Sequence, residues 1–432
     1  MAVTTLAILI LLGTFAVLLT MGAKIIYAIG ISTVITTFYL GIPVLSVVQN
    51  LVRGMNSFSL MCVPFFILMG EIMTAGGITK RLVGLAGALV GWLRGGLGMA
   101  NIVDSMFFGG ISGSPTADVS STGVIIIPMM TQAGYDIDFS SAITMASSIQ
   151  GLLIPPSHNM VIYAMAAGGV SIGALFMAGA IPGIFLGITL GIYVYYISKK
   201  RNYPKGDRFE IKKAIKAILD SAWGLGTVLV VVVGVVLGVF TATESAAIAC
   251  VWAFIVSCFI YKEMTLAKLK QAFLNTIKTL SIIMYLIGIS AAFGWLVAYL
   301  QVPATVAKAI FALTSNKYVI LLLINIFLLV CGCFMDMIST ILIVTPILLP
   351  IVTGIGMSPV HFGVIMIFNL GIGLLTPPVG VILFVTSAIT GLKVERLSKA
   401  LLPFYGVMVA TLLIVTYVPE IAMFLPNLLM GK

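Results

Sequence analysis

The sequence predicts an all-α polytopic membrane protein assembled from two repeats, each holding a re-entrant helical hairpin and a broken transmembrane helix. Three observations carry that prediction. Hydrophobic residues make up 61% of the chain and charged residues only 8%, against about 25% charged in soluble globular domains. Apolar runs close to 20 residues, the span of a bilayer helix, recur throughout, as at 4–22, 226–240, 246–261, 318–335 and 401–418. A stretch broken by Gly and Pro occurs twice, 222 residues apart.

The two copies align without a gap. Gly110 falls on Gly332, Pro128 on Pro350, Gly134 on Gly356, Gly151-Leu152-Leu153 on Gly373-Leu374-Leu375, Pro155-Pro156 on Pro377-Pro378, and Gly169 on Gly391. Across 110–169 there are 13 identities in 60 positions. Apolar composition produces some of these by chance, but a Gly-Leu-Leu-x-Pro-Pro at the same offset marks an internal duplication.

In chain order, 1–56 reads as N-terminal scaffold spans: 4–22, retained because no basic residue precedes it, then 25–48, interrupted by Pro43. The first repeat occupies 57–198. It opens with an apolar segment carrying Glu71 and ending at Gly76-Gly77, then 78–93, whose periodicity fits an amphipathic arm lying along the interface. Next come a hairpin at about 110–133 and a split helix at about 139–168. The centre, Ser112 to Thr122, is too polar and too rich in Gly and Pro to face lipid, and irregular backbone survives at membrane depth only inside protein or beside a water-filled cavity. Pro155 and Pro156 donate no hydrogen bonds, which breaks the second segment and frees the carbonyls before it. A basic loop, 199–220, holds Lys199, Lys200, Arg201, Lys205, Arg208, Lys212, Lys213 and Lys216, a concentration of the basic residues behind the net +10 charge. Such a loop between spans is cytoplasmic, and its brevity argues against a nucleic-acid partner. Connecting spans and an amphipathic stretch fill 221–278. The second repeat, 279–425, places its hairpin at about 332–353 and its split helix at about 360–390. Ten to twelve crossings plus two hairpins are expected. The five cysteines lie in apolar runs, and Cys331-Gly-Cys333 lacks the second pair a zinc site needs.

Interrupted segments at matching places in two repeats are the sequence mark of a secondary transporter's site. A half-helix starting at mid-membrane offers unpaired N–H groups and a positive dipole end to an anion. One ending there offers carbonyls to a hard cation. Ser112, Ser114 and Thr116 have side chains to donate to a carboxylate or coordinate sodium, although such hydroxyls in membrane helices also bond back to their own turn. Asp118 and Asp336 are intramembrane carboxylates, functional by default; accepting hydrogen bonds from free amides beside a tip is their structural alternative. Thr376 precedes the second Pro-Pro pair and has a hydroxyl to lend to a cation. His158 starts the helix after the first pair, where it either binds substrate or serves as a hydrogen-bonded structural group.

At these residues the chain resembles the large membrane subunit of the tripartite ATP-independent periplasmic (TRAP) transporters. The resemblance rests on Val63-Pro-Phe-Phe-Ile-Leu-Met-Gly-Glu71, Arg94-Gly-Gly-Leu97, Phe107-Phe-Gly-Gly-Ile-Ser-Gly-Ser-Pro-Thr-Ala-Asp118, Ile154-Pro-Pro-Ser-His-Asn159, Gly169-Val-Ser-Ile-Gly-Ala-Leu-Phe176 and Leu374-Leu-Thr-Pro-Pro-Val-Gly380. It implies inverted repeats in an elevator-type architecture and sodium-coupled import of an organic acid across a bacterial inner membrane, with Na+ as the coupling ion. The implied partners, besides membrane lipid, are a small four-helix membrane subunit on a separate polypeptide and a periplasmic substrate-binding protein. By the resemblance, one sodium site maps to Ser112, Gly113, Ser114, Ile149 and Gly151. The other maps to Gly332, Met335, Asp336, Gly373 and Thr376. The acidic substrate would meet Ser114, Pro115, Thr116, Pro156, Ser157, His158 and Asn159. Ser157-His158-Asn159 with Ala166-Ala-Gly-Gly169 looks more like the sialic-acid branch than the C4-dicarboxylate branch. Two readings compete from other classes: a passive channel, and an intramembrane aspartyl hydrolase using Asp118 and Asp336. The second needs both carboxyls in one hydrated site, yet the repeat places Asp118 on Thr340 and Asp336 on Ser114.

Overall fold

The computed structural model describes residues 2–206 and 208–431, and its elements are helical. Among the described residues, seven helices are long and apolar enough to cross a membrane, or nine if each of two bent pairs counts once. Shorter apolar helices, Ile25–Tyr39 and Pro359–Gly373 among them, make up the rest. The interrupted span expected at 25–48 is two helices, Ile25–Tyr39 and Val44–Met55. Gly41 turns the chain with φ 66°, and Pro43 caps the second helix. Leu266–Tyr299 is one continuous helix of 34 residues, so the amphipathic stretch and the span expected after it are fused. At 1.5 Å per residue it is roughly 51 Å long, beyond the ~30 Å hydrocarbon core. Small residues bring it close to its neighbour: Gly54 faces Ala291, and Gly288 faces Leu51 and Met55, the close backbone approach typical of membrane helices.

The basic segment is helical from Ile211 onward. Its Lys212, Lys213 and Lys216 are exposed on the helix's opening turns while Ala214 is buried, so an amphipathic start replaces the expected loop from 211 onward. Cys62–Ala75 and Ile78–Val90 meet at 73°, the corner being Gly77 at φ 79°. If the first of these crosses the bilayer, the second lies nearly along its plane, as an interfacial arm does. Arg81 pins the arm, pairing with Glu263 at 2.7 Å and lying 3.8 Å over the Tyr261 ring.

Two long-range contacts fix the orientation of the repeats. Asp138, at the start of the first split helix, receives two hydrogen bonds from Arg396, 2.7 and 3.0 Å long, just past the end of the second. Tyr163, near the end of the first, donates to the carbonyl of Pro359 at the start of the second, at 2.6 Å. Start meets end at both faces, so the split helices run antiparallel. Repeats that superimpose residue by residue yet run oppositely are inverted.

The twofold relation is visible in self-contacts. Thr189 and Thr411 differ by 222 residues and share a hydrogen bond of 2.9 Å. Ile149 lies against Gly371, its own repeat equivalent. Equivalent residues touch only at a twofold axis, which therefore passes through both pairs. The basic face is also located. Arg201 pairs with Asp136 at 2.8 Å, and Tyr203 donates to the same carboxylate at 2.5 Å while its ring stacks on Tyr135. Burial, and then the bond to Asp136, push the Tyr203 phenol above its ordinary value, so it remains a donor at physiological pH. The first hairpin therefore enters from the basic, cytoplasmic face. The second, whose return arm leads directly into Pro359, enters from the opposite one.

Candidate functional site

The first hairpin descends through Gly96–Ser112 and returns through Pro115–Asp118, a π-helical turn at Val119–Gly123, and Val124–Gln132. Its first arm thus begins two residues past Arg94, well before residue 110. At the tip, Gly113 adopts φ 59°, a left-handed conformation that costs an L-residue about 1–2 kcal/mol. Ser114 then caps the return arm, accepting from the Ala117 amide at 3.3 Å, with Pro115 at the first helical position. Ser112 accepts from the Ser114 amide at 3.2 Å, so this hydroxyl orders the turn locally.

The first split helix runs Ile137–Ser148 and Gln150–Leu153, breaks at 154–157, and resumes at His158–Ala166, bent by 51°. The tip seats in that break. A Cβ on Gly113 would lie 3.1 Å from the Pro156 carbonyl oxygen, 3.2 Å from Ser157 Cα and 3.3 Å from His158 Nδ1. Asn159 donates to the Gly113 carbonyl at 3.4 Å. Helix His158–Ala166 starts with no side-chain cap, and both Ser157 Oγ and His158 Nδ1 are buried without a hydrogen-bond partner. An uncapped helix N-terminus beside an unused hydroxyl and imidazole is the kind of polar surface on which backbone N–H groups can meet an anion.

The second hairpin is Lys317–Phe334 and Met337–Gly354, the latter continuous despite Pro346 and Pro350. Met335 and Asp336 are extended, so no left-handed glycine is needed. Asp336 caps the return helix, accepting from the Ser339 amide at 3.1 Å and its hydroxyl at 3.3 Å. The second split helix, Pro359–Gly373 and Val381–Thr390, breaks at the second Pro-Pro pair. There the Val379 amide donates to the Cys333 carbonyl at 3.2 Å, and Thr376 donates to the Ile372 carbonyl at 2.9 Å.

Among the residues assigned from the resemblance, the structure brings Ser112, Gly113 and Ser114 together with Pro156, Ser157, His158 and Asn159. It sets Gly332 against Gly373, and Gly151 against Gly109, one turn above the tip. The Ile149 side chain packs at the twofold axis on Gly371. Thr116 is half-buried just beyond the tip. Other polar residues at these junctions carried no motif. Tyr405 donates to the Leu375 carbonyl at 2.6 Å. Asn369 donates to Asn325 at 2.7 Å, and its repeat equivalent Ser147 bonds Ser105 at 2.9 Å; each pair ties a hairpin arm to a split helix. The shared offset of Ser147 and Asn369 was the one available signal.

The carboxylates divide by role. Asp118 accepts from Thr122 at 2.7 Å at the head of the π-turn, leaves one oxygen unpaired, and lies within Coulombic range of Asp104, whose two oxygens are also unpaired and buried. Asp336 caps the return helix of the other hairpin through Oδ2. Asn275 donates to Glu71 at 2.9 Å, and Glu244 closes a capping box with Thr241.

Residues 12–421 match the family model for the tripartite ATP-independent periplasmic transporter, DctM component. The chain belongs to this family. It is therefore a transporter permease subunit rather than an enzyme, and a multi-pass protein of the bacterial inner membrane. The permease is 41% identical over 96% of its length to an isethionate TRAP transporter permease protein from Oleidesulfovibrio alaskensis, covering 66% of that longer chain. It is 38% identical over 89% to a sialic acid large permease protein from Vibrio cholerae, covering 90% of it. A C4-dicarboxylate large permease protein from Rhodobacter capsulatus is 35% identical over 98%, with 99% of it covered. The YdaH transporter of Alcanivorax borkumensis superimposes with a TM-score of 0.62 over 85% of the permease and 86% of YdaH at 15% identity, a likeness of fold.

Proposed function

We propose that the permease imports a small organic acid by sodium-coupled secondary transport, with sialic acid as its substrate. A periplasmic binding protein delivers the substrate, a small four-helix subunit completes the membrane part, and the hairpins move with their split helices in an elevator-type step. The observation that carries the anion site is the uncapped helix at His158, with unpartnered Ser157 and His158, facing the Ser114-Pro115-Thr116 tip. Carbonyls of Ser112, Gly113, Ser114, Ile149 and Gly151, and of Gly332, Met335 and Gly373, together with Asp336 and Thr376, supply the hard oxygen ligands sodium takes. The tripartite organisation follows from the family; the substrate rests on Ser157-His158-Asn159. C4-dicarboxylate is the second reading, and the named substrates of the relatives, which include the sulfonate isethionate, all share one acidic group.

The test is uptake into proteoliposomes holding the permease and its small partner. Labelled sialic acid, succinate and isethionate are offered under inward sodium or potassium gradients, with and without the matching binding protein. Sialic acid uptake that needs sodium and the binding protein supports the whole reading. Uptake of succinate or isethionate alone keeps the mechanism and replaces the substrate. Flux indifferent to sodium overturns the coupling and brings the passive channel forward.

A further inference from the structure

On the cytoplasmic face an open groove of about 880 Å³ runs beneath the arm helix Ile78–Val90, far from both hairpin tips. Its walls are the arm, the entrance of the first hairpin at Gly96 and Leu97, the segment residues 204–206 and 208–210, and the opening turns of helix Ile211–Val236. Arg94 and Lys205 form a backbone bridge that holds the segment to the end of the arm.

The charge on those walls is unbalanced. Arg81 is engaged by Glu263, and Lys213 by Glu210. Among the described lining residues this leaves Lys80, Lys205, Arg208 and Lys216 without an ion-pair partner, with Asp220 as the opposing carboxylate. Between the cations the wall has little side chain. A Cβ added to Gly84 or Gly87 meets nothing within 4 Å, so these glycines leave a trough along the arm. The rim is aromatic: Trp92 and Phe209 meet edge to face, 6.2 Å between centroids, and both are largely exposed. Exposed Trp at the end of an in-plane helix marks the level of lipid headgroups.

We propose that this groove binds the headgroup of an anionic phospholipid, with phosphate against Lys205 and Arg208 and the acyl side directed past Trp92 and Phe209 along the Gly84–Gly87 trough. A soluble phosphate satisfies the cations but has no use for the aromatic rim or the open trough. The cytoplasmic leaflet carries anionic lipid, which draws clustered Lys and Arg near its surface. Because the groove joins the arm to the first hairpin's entrance, an occupied groove couples leaflet composition to the hairpin's freedom to move.

The test uses the purified full-length permease with its small partner. Retention of phosphatidylglycerol and phosphatidylcholine is compared by native mass spectrometry and by titration in nanodiscs of defined charge, with glycerol phosphate as the soluble competitor. The expected result is selective retention of phosphatidylglycerol. It should weaken roughly tenfold or more in the double variant Lys205→Gln, Arg208→Gln, as loss of two surface cations implies. It should weaken likewise in Gly87→Leu, which fills the trough without changing charge. Lys205 and Arg208 are exposed and Gly87 has open space, and unchanged thermal unfolding of each variant would establish that the fold is intact. Equal retention of the two lipids, or undiminished phosphatidylglycerol binding in both variants, overturns the site. Displacement by glycerol phosphate at the lipid's own affinity assigns the groove to a soluble anion and overturns the lipid assignment.

Discussion

The two hairpin tips are built on one plan and finished differently. In the first, Ser112-Gly113-Ser114 makes a left-handed turn that fits into a break ending in an uncapped, partly unpartnered helix start. In the second, Met335-Asp336 is an extended turn whose carboxylate caps its own return helix through Oδ2. His158 falls on Gly380 and Asn159 on Val381 in the repeat, so the polar groups that face the first tip have no counterparts at the second. Duplication supplies two hairpin-and-break junctions; on the proposed reading both serve a cation, and divergence reserves the anion for the first.

The largest effects should come from the glycines that let hairpin and split helix touch. In the first half the confined one is Gly109, where a Cβ would run into the Cα of Gly151; in the second it is Gly373, where a Cβ would lie 2.5 Å from Gly332 Cα. The reverse positions are roomier, 2.8 Å for Gly151 and 3.0 Å for Gly332. Backbone gives way less readily than side chain, and overpacking costs about 1–3 kcal/mol or more. Gly109→Ala and Gly373→Ala should therefore lower the thermal unfolding midpoint and abolish uptake, while Gly151→Ala and Gly332→Ala retain measurable transport. Equal damage from all four would break the claim that the tight glycine changes sides between the halves.

Next in size is the anion receptor. Removing a buried partner of a bound ligand costs about 1–3 kcal/mol, so His158→Ala should reduce substrate affinity roughly ten- to hundredfold, with sodium affinity nearly unchanged. Gly380→Ser at the equivalent position should leave substrate affinity alone, whatever it does to the turn. A His158→Ala permease that keeps its substrate KM but needs more sodium would move the anion site away from the first tip.

Gly113→Ala sharpens the comparison at the level of backbone. Left-handed φ costs an Ala about 1–2 kcal/mol, and the added methyl meets the Pro156 carbonyl region. We expect weaker sodium-dependent stabilisation in a thermal shift assay. Met335→Ala, in an extended turn with no such constraint, should shift it far less.

Much of this was legible in the sequence, for reasons particular to each part. Gly-Leu-Leu-x-Pro-Pro marked both breaks because Gly and Pro act on backbone, and backbone effects travel with the residue. The arm at 78–93 was legible because Gly76-Gly77 and the basic start punctuate it. The fused helix Leu266–Tyr299 was not, since its lysines signal an end that continuous backbone bonding overrides. The pairing of Asn325 with Asn369 and of Tyr405 with the Leu375 carbonyl depends on where distant helices come to rest, and no local pattern encodes it. The packing of the Ile149 side chain into the space that Gly371 leaves was likewise unmarked, because the contact joins residues 222 positions apart.

The smallest effect tests the axis itself. Thr189 and Thr411 lie within hydrogen-bond distance of each other, 2.9 Å, and of carbonyls of their own helices, at 2.9 and 2.8 Å. With one proton per hydroxyl, one threonine bonds back to its helix while the other donates across the pair. Hydrogen bonds between membrane helices average about 0.6 kcal/mol, so Thr189→Val or Thr411→Val should lower stability by about that amount. The double variant should cost little more than either single one, because the same bond is lost each time. Additive losses would mean that the two hydroxyls act independently and that the pair does not mark the contact of one repeat with its own image.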